Sequence, residues 1–140
     1  MMQIDDRASA TELEEFLQKY PDTKMLEILS PDANGILRGK RIGRDEFDGL
    51  YDGGLKTCAS TPFVDSRGEI AVEIGIGTRD GDPDVKTYPV TGTLAPVPWL
   101  DSPIAQVFLS MASFDDEPYF SDPRWSGEKR TLTEEADDAN

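Results

Sequence analysis

Carboxylates carry most of the chemistry open to this chain. Its 140 residues hold 28 Asp and Glu against 14 Lys and Arg, a formal net charge of −14, and no histidine. Without an imidazole, serine–histidine and cysteine–histidine nucleophile pairs are excluded, and the commonest general base and transition-metal ligand is missing. Two acidic stretches are spaced in a way that matters. Asp80, Asp82 and Asp84 alternate along one segment, and oxygen ligands spaced like this can bind calcium when they converge. The EF-hand loop, however, needs a glycine at its sixth position and a glutamate at its twelfth. Counted from Asp80 these positions hold Val85 and Thr91, and Pro83 stiffens the turn, so the segment reads as a plain acidic turn. Asp65 follows the apolar pair Phe63-Val64 and precedes Ser66 and Gly68. A carboxylate there can accept hydrogen bonds from turn amides and stay charged. It is either a turn cap or a fixed negative charge aimed at a cation.

Other residue types offer less. The single cysteine, Cys58, cannot form an intramolecular disulfide or a thiolate metal site, and in an apolar stretch it reads as a packing residue. No glycine pair sits between a strand and a helix with the Lys-Ser/Thr ending that grips a nucleotide, so no ATP site is expected in this chain alone. Arg38, Lys40, Arg41 and Arg44 are the only basic density. They either neutralise neighbouring carboxylates or meet acidic groups on a partner. The acidic balance argues against nucleic acid, which needs a basic stripe, and against an anionic membrane surface. No apolar run approaches a bilayer span, and the polar start Met1–Arg7 does not resemble a signal peptide, so the expected location is cytoplasmic.

These residues need elements to hold them. Ser9 with Glu12, or Thr11 with Glu14, has capping-box spacing, and Leu13, Phe16 and Leu17 recur on one side of the helix that follows. Pro21 stops that helix. Lys24–Leu29 reads as a strand, Asn34-Gly35 as a tight turn, and Ile36–Ile42 as the return strand. Arg44–Tyr51 reads as a short helix ended by Gly53-Gly54, and Leu55–Phe63 as a third strand. Ile70–Ile76 alternates weakly. Arg79–Thr93 is rich in Asp, Gly and Pro and reads as a long loop. Pro96-Val-Pro-Trp99 is a stiff extended segment whose tryptophan is expected to plug the core edge. Ile104–Ala112 is the strongest late strand. One domain of this length, with short strands and helices to one side, is an α+β fold built on one mixed sheet.

Several segments, taken in order, resemble one family. Asp32-Ala-Asn-Gly-Ile-Leu-Arg-Gly-Lys-Arg41 resembles the N-terminal hairpin of glutamine synthetase-like proteins. Gly77-Thr-Arg-Asp-Gly-Asp-Pro-Asp84 and Pro89-Val-Thr-Gly-Thr-Leu-Ala-Pro-Val-Pro-Trp99 resemble its loop and its Thr-Leu-x-Pro-Val-Pro-Trp signature. Asp115-Asp-Glu-Pro118 and Ser121-Asp-Pro-Arg124 resemble its acidic turn and Asp-Pro-Arg segment. The likeness runs from about Phe16 to Arg124 and looks most like the γ-glutamylpolyamine synthetase branch. The chain departs from the pattern near Ser110 and Met111, where the family often carries a cysteine–aspartate pair.

The resemblance implies a β-grasp-like mixed sheet with short helices packed on one face, spanning residues 9–124. A flexible segment, 1–8, would precede it and a disordered acidic tail, 125–140, would follow. It implies an N-terminal domain of an ATP-dependent glutamate–ammonia or glutamate–amine ligase, which closes one wall of the active site of an adjacent catalytic domain in a ring of subunits. Asp65, with Ser66 beside it, best matches the family's amine-binding aspartate. Arg38, Lys40 and Arg41 are the candidate interface. ATP and Mg²⁺ (or Mn²⁺) would be held by the catalytic domain, expected just after Arg124. This chain would bind no metal or cofactor by itself and would be inactive alone. The competing expectation is a standalone acidic interaction or regulatory module without catalysis. A carboxylate-only hydrolase is disfavoured, because no Asp/Glu pair is marked out by its surroundings.

Overall fold

A computed structural model describes residues 6–32, 34–58, 60–63, 67–69 and 84–112. In chain order the elements are α1 (Ala10–Lys19), β1 (Met25–Pro31), β2 (Leu37–Gly43), a 3-10 turn (Arg44–Glu46), α2 (Phe47–Gly53), β3 (Leu55–Cys58), a second 3-10 turn (Thr61–Phe63), β4 (Asp84–Pro89), β5 (Ala95–Pro96) and β6 (Ile104–Ala112). The strands form one sheet in the order β2-β1-β6-β4-β3, with β5 paired to β6 off that path. β6 runs parallel to β1, with Leu26 opposite Ala105 and Ile28 opposite Val107, and antiparallel to β5. The sheet is therefore mixed, and the fold is α+β and β-grasp-like, as expected. Among the described residues no helix is long and apolar enough to cross a membrane.

Contacts divide the chain into two compact units. The first comprises Met1–Ser30, Leu37–Lys56 and Thr87–Ser110, and the second Pro31–Ile36, Thr57–Lys86 and Met111–Asn140. The first unit holds a core of Leu13 from α1, Leu26 and Ile28 from β1, Ile42 from β2, Phe47, Leu50 and Tyr51 from α2, and Ala105, Val107 and Leu109 from β6. The period of two in Leu26/Ile28 and in Ala105/Val107/Leu109 puts these side chains on one sheet face, and both helices cover that face.

Local chemistry explains the helix ends. Ser9 caps α1, its hydroxyl accepting from the Glu12 amide at 3.3 Å. Glu12 does not complete a capping box. Its carboxylate accepts instead from the Thr91 hydroxyl and the Gly92 amide, both at 2.8 Å, tying α1 to the turn after β4. Of the segment expected to be flexible, residues 1–5 lie outside the described residues. The Ala8 amide donates to Pro89 O at 2.9 Å, the Thr91 amide donates to Asp6 O at 2.8 Å, and the Arg7 guanidinium lies 4.6 Å from the Tyr88 ring centroid. The last turn of α2 gives way at Gly54, whose φ of 74° suits glycine.

Four expectations need correction. Within the supposed loop 79–93, Asp84–Pro89 is strand β4, with Val85, Thr87, Tyr88 and Pro89 buried. The Asp, Gly and Pro before it mask a short strand that lies between β6 and β3. The strand expected over Leu55–Phe63 ends at Cys58 and becomes a 3-10 turn, and Cys58 is exposed, not packed. Trp99 does not plug the core. It is 72% exposed, while Val97, two residues earlier, fills the interior. Segment 70–76 and the tail 125–140 lie outside the described residues.

Candidate functional site

The basic residues lie on and just after β2, at one end of the sheet path. Close approach of β2 to β1 depends on Gly39, because a Cβ there would collide with the carbonyl of Ile28. With the strands this close, Arg41 reaches Glu27 on β1, its Nε 2.9 Å and its Nη2 2.8 Å from one carboxylate oxygen. Arg44 donates through Nη1 to the carbonyls of Pro21 (3.0 Å) and Thr23 (2.9 Å), fastening the segment between α1 and β1. Arg41 thus meets a neighbouring carboxylate, whereas Arg44 donates to backbone carbonyls. Lys40 is exposed and Arg38 half-buried.

Asp65 and Ser66 lie outside the described residues, as do Asp80 and Asp82. What bounds the Asp65 segment belongs to the second unit. On one side is the turn Thr61–Phe63, whose Thr61 hydroxyl donates to Cys58 O at 2.7 Å and lies 3.4 Å from the Thr57 hydroxyl, with Pro62 buried. On the other is Gly68, whose φ of 87° is left-handed and suits glycine. In the same unit Asp32 is 1% exposed, and its Oδ1 accepts from the amides of Asn34 and Ile36, each at 2.9 Å. The Asn34-Gly35 signal thus marks a real turn, with Gly35 at φ 76°, but the residue that holds it is Asp32.

Asp84 is exposed at the start of β4. Among the described residues no three Cys, Asp or Glu side chains gather as a metal site. Among the described residues one titratable group is strongly displaced. Burial, with the Glu12 carboxylate adding to it, pushes the Tyr51 phenol well above its usual range, and its hydroxyl has no hydrogen-bond partner among the described residues. In the sequence Tyr51 is the last residue of an expected short helix, and nothing in the pattern marks its hydroxyl as unpaired.

Comparison with known proteins supplies what these residues leave open. No family model matches the chain. It is 34% identical over 117 residues, 84% of its length, to the γ-glutamylputrescine synthetase PuuA of Escherichia coli (strain K12). The chain belongs to the glutamine synthetase family. Two solved structures share the fold: a novel glutamine synthase homologue (TM-score 0.60, 14% identity, 73% of this chain and 24% of that one) and Plasmodium falciparum glutamine synthetase (TM-score 0.59, 15% identity, 88% and 22%). This member of the glutamine synthetase family spans about a quarter of the length of the curated relative, which it matches over 25% of that protein. Its α+β sheet is consistent with the family's N-terminal domain.

Proposed function

We propose that this chain is the N-terminal, β-grasp portion (residues 9–124) of a glutamine synthetase-family ligase that joins ammonia or an amine to the γ-carboxyl of glutamate. In this reading it walls the active site of a catalytic portion that holds ATP and Mg²⁺, in a ring of cytoplasmic subunits, and it turns nothing over alone. The observation that carries it is the 34% identity to a γ-glutamylputrescine synthetase across 84% of the chain.

Asp65 carries the chemistry on this side of the site. A fixed carboxylate attracts a cationic amine and takes one of its protons. The freed nitrogen lone pair then attacks the carbonyl carbon of γ-glutamyl phosphate; the C–N bond forms, the C–O bond to phosphate breaks, and phosphate leaves. Ser66 offers a hydroxyl to orient the amine. Lys40 and Arg38 face the partner, while Arg41 is held by Glu27.

Two assays test this. The purified chain with ATP, glutamate and ammonium or putrescine is expected to release no ADP; turnover by the chain alone overturns the reading. A chimera in which this chain replaces the matched 117 residues of the E. coli relative is expected to be active. Asp65→Asn in that chimera is expected to raise KM for the amine by about tenfold or more, a loss of the order of one charge-assisted interaction. An inactive chimera beside an active parent would favour the acidic interaction module.

A further inference from the structure

The proposed function makes no use of Tyr51. This residue of α2 is 7% exposed, and its hydroxyl is buried without a hydrogen-bond partner among the described residues. Buried polar groups are normally paired, so an unpaired one calls for a reason. Helix α1 packs against α2, and Glu12 on α1 is the residue whose charge acts on this phenol. Burial and that negative charge both keep the phenol protonated, so it stays a donor. Glu12, itself half-buried, is turned the other way. One carboxylate oxygen accepts from the Thr91 hydroxyl and the other from the Gly92 amide, both at 2.8 Å, and Thr91 and Gly92 are exposed. One carboxylate therefore stands between two solvent-facing donors that it holds and one interior donor that it does not.

We propose that Glu12 is a two-position latch: it ties α1 to the turn after β4 through Thr91 and Gly92, and on release its carboxylate turns inward to accept from the Tyr51 hydroxyl. Only the side chain moves. The Glu12 amide stays bonded to Ser9, and the turn keeps bonds of its own. The Thr91 amide donates to Asp6 O at 2.8 Å, the Val90 amide to Phe108 O at 2.9 Å, and the Thr93 hydroxyl to Val90 O at 2.8 Å. The outward position is the occupied one, because two charge-assisted bonds exceed one and because drawing a carboxylate inward costs hydration. In the minor, inward position Tyr51 gains the acceptor it lacks. An acceptor group that competes for the exposed donors at Thr91 and Gly92 shifts the balance inward. The latch does not depend on the ligase reading.

Urea unfolding at neutral pH of the parent chain, Tyr51→Phe, Thr91→Val and the double variant tests it. In the parent, where the phenol is unpaired, Tyr51→Phe is expected to raise the unfolding midpoint. Thr91→Val removes one outward donor and sends Glu12 inward, so in that background Tyr51→Phe is expected to lower the midpoint. Shifts of one sign in both backgrounds overturn the latch: both upward means a fixed Glu12, both downward a phenol already paired. If Thr91→Val does not fold, amide hydrogen exchange of the parent and Tyr51→Phe decides. Without its inward position Glu12 stays on the turn, and the Gly92 amide is expected to exchange at least about threefold more slowly relative to the Val107 amide of β6. An unchanged ratio overturns the proposal.

Discussion

Single groups in this domain are legible by type but not by partner. Arg41 shows why: its charge is plain in the sequence, but its link to Glu27 depends on two strands brought together by one glycine. Tyr51 makes a sharper case, because its phenol is buried without a partner among the described residues. A desolvated hydroxyl of that kind costs about 1–3 kcal/mol, so Tyr51→Phe is expected to stabilise the domain by about 1 kcal/mol at neutral pH. The pH dependence has a definite sign. The folded-state pKa lies above the ordinary value of 10.0, so above pH 10 the unfolded chain gives up this proton while the folded one keeps it. The contribution of Tyr51 is thus intact below pH 10 and is lost as pH climbs towards the folded pKa, at up to about 1.4 kcal/mol per pH unit. Urea titrations of both proteins should differ by a constant amount from pH 7 to 9 and by a growing amount above pH 10. A gap that stays constant through pH 11 would mean that the phenol is not desolvated.

Elements were legible wherever a pattern ran unbroken. Strand β6 is legible at its observed bounds, Ile104–Ala112, because nine residues without Pro or Gly leave no competing signal. Helix α1 was legible from its Ser9 cap and its narrow apolar stripe. Strand β4 was not, since only Val85–Tyr88 separates Asp84 from Pro89 and a loop-like run precedes it. Its strand character comes from its place between β6 and β3, which is tertiary information. Trp99 differs for a related reason: hydrophobicity favours burial but does not dictate it, and this side chain stays 72% exposed. Asp65 and Ser66 were singled out as a site chiefly through the family resemblance, because an isolated Asp near a glycine is more often a turn cap. At this scale the sharpest test is Gly39. Its missing side chain lets the Ile28 carbonyl approach, so Gly39→Ala must push β2 away from β1 and disturb the Glu27–Arg41 pair. A loss of about 3 kcal/mol is expected, at the upper end of what overpacking a core costs, and is checked by urea unfolding. Gly49→Ala, on α2 with open space around its Cβ position, should be neutral or slightly stabilising in the same experiment.

Across the whole chain the deciding quantity is the net charge of −14. Self-repulsion among 28 acids opposes compaction, and the exposed Arg41–Glu27 pair, with side chains 49% and 24% accessible, offsets about 1 kcal/mol at most. Salt screens both, but repulsion summed over a net charge of −14 outweighs surface pairs of this kind. Raising NaCl from about 20 mM to about 500 mM shortens the screening length from roughly 20 Å to roughly 4 Å and is expected to raise the melting temperature by several degrees. A fall on adding salt would mean that attractive pairs dominate and that the acidic surface is compensated from within. The same field bears on the proposed reaction. A negative domain beside an active site concentrates cationic amines, and screening removes that advantage. In the active chimera, therefore, the salt that stabilises the fold should raise KM for a diamine more than for singly charged ammonium, because the steering energy scales with substrate charge. Equal sensitivity for the two amines would confine the acidic surface to solubility and leave Asp65 as the domain's contribution to amine capture.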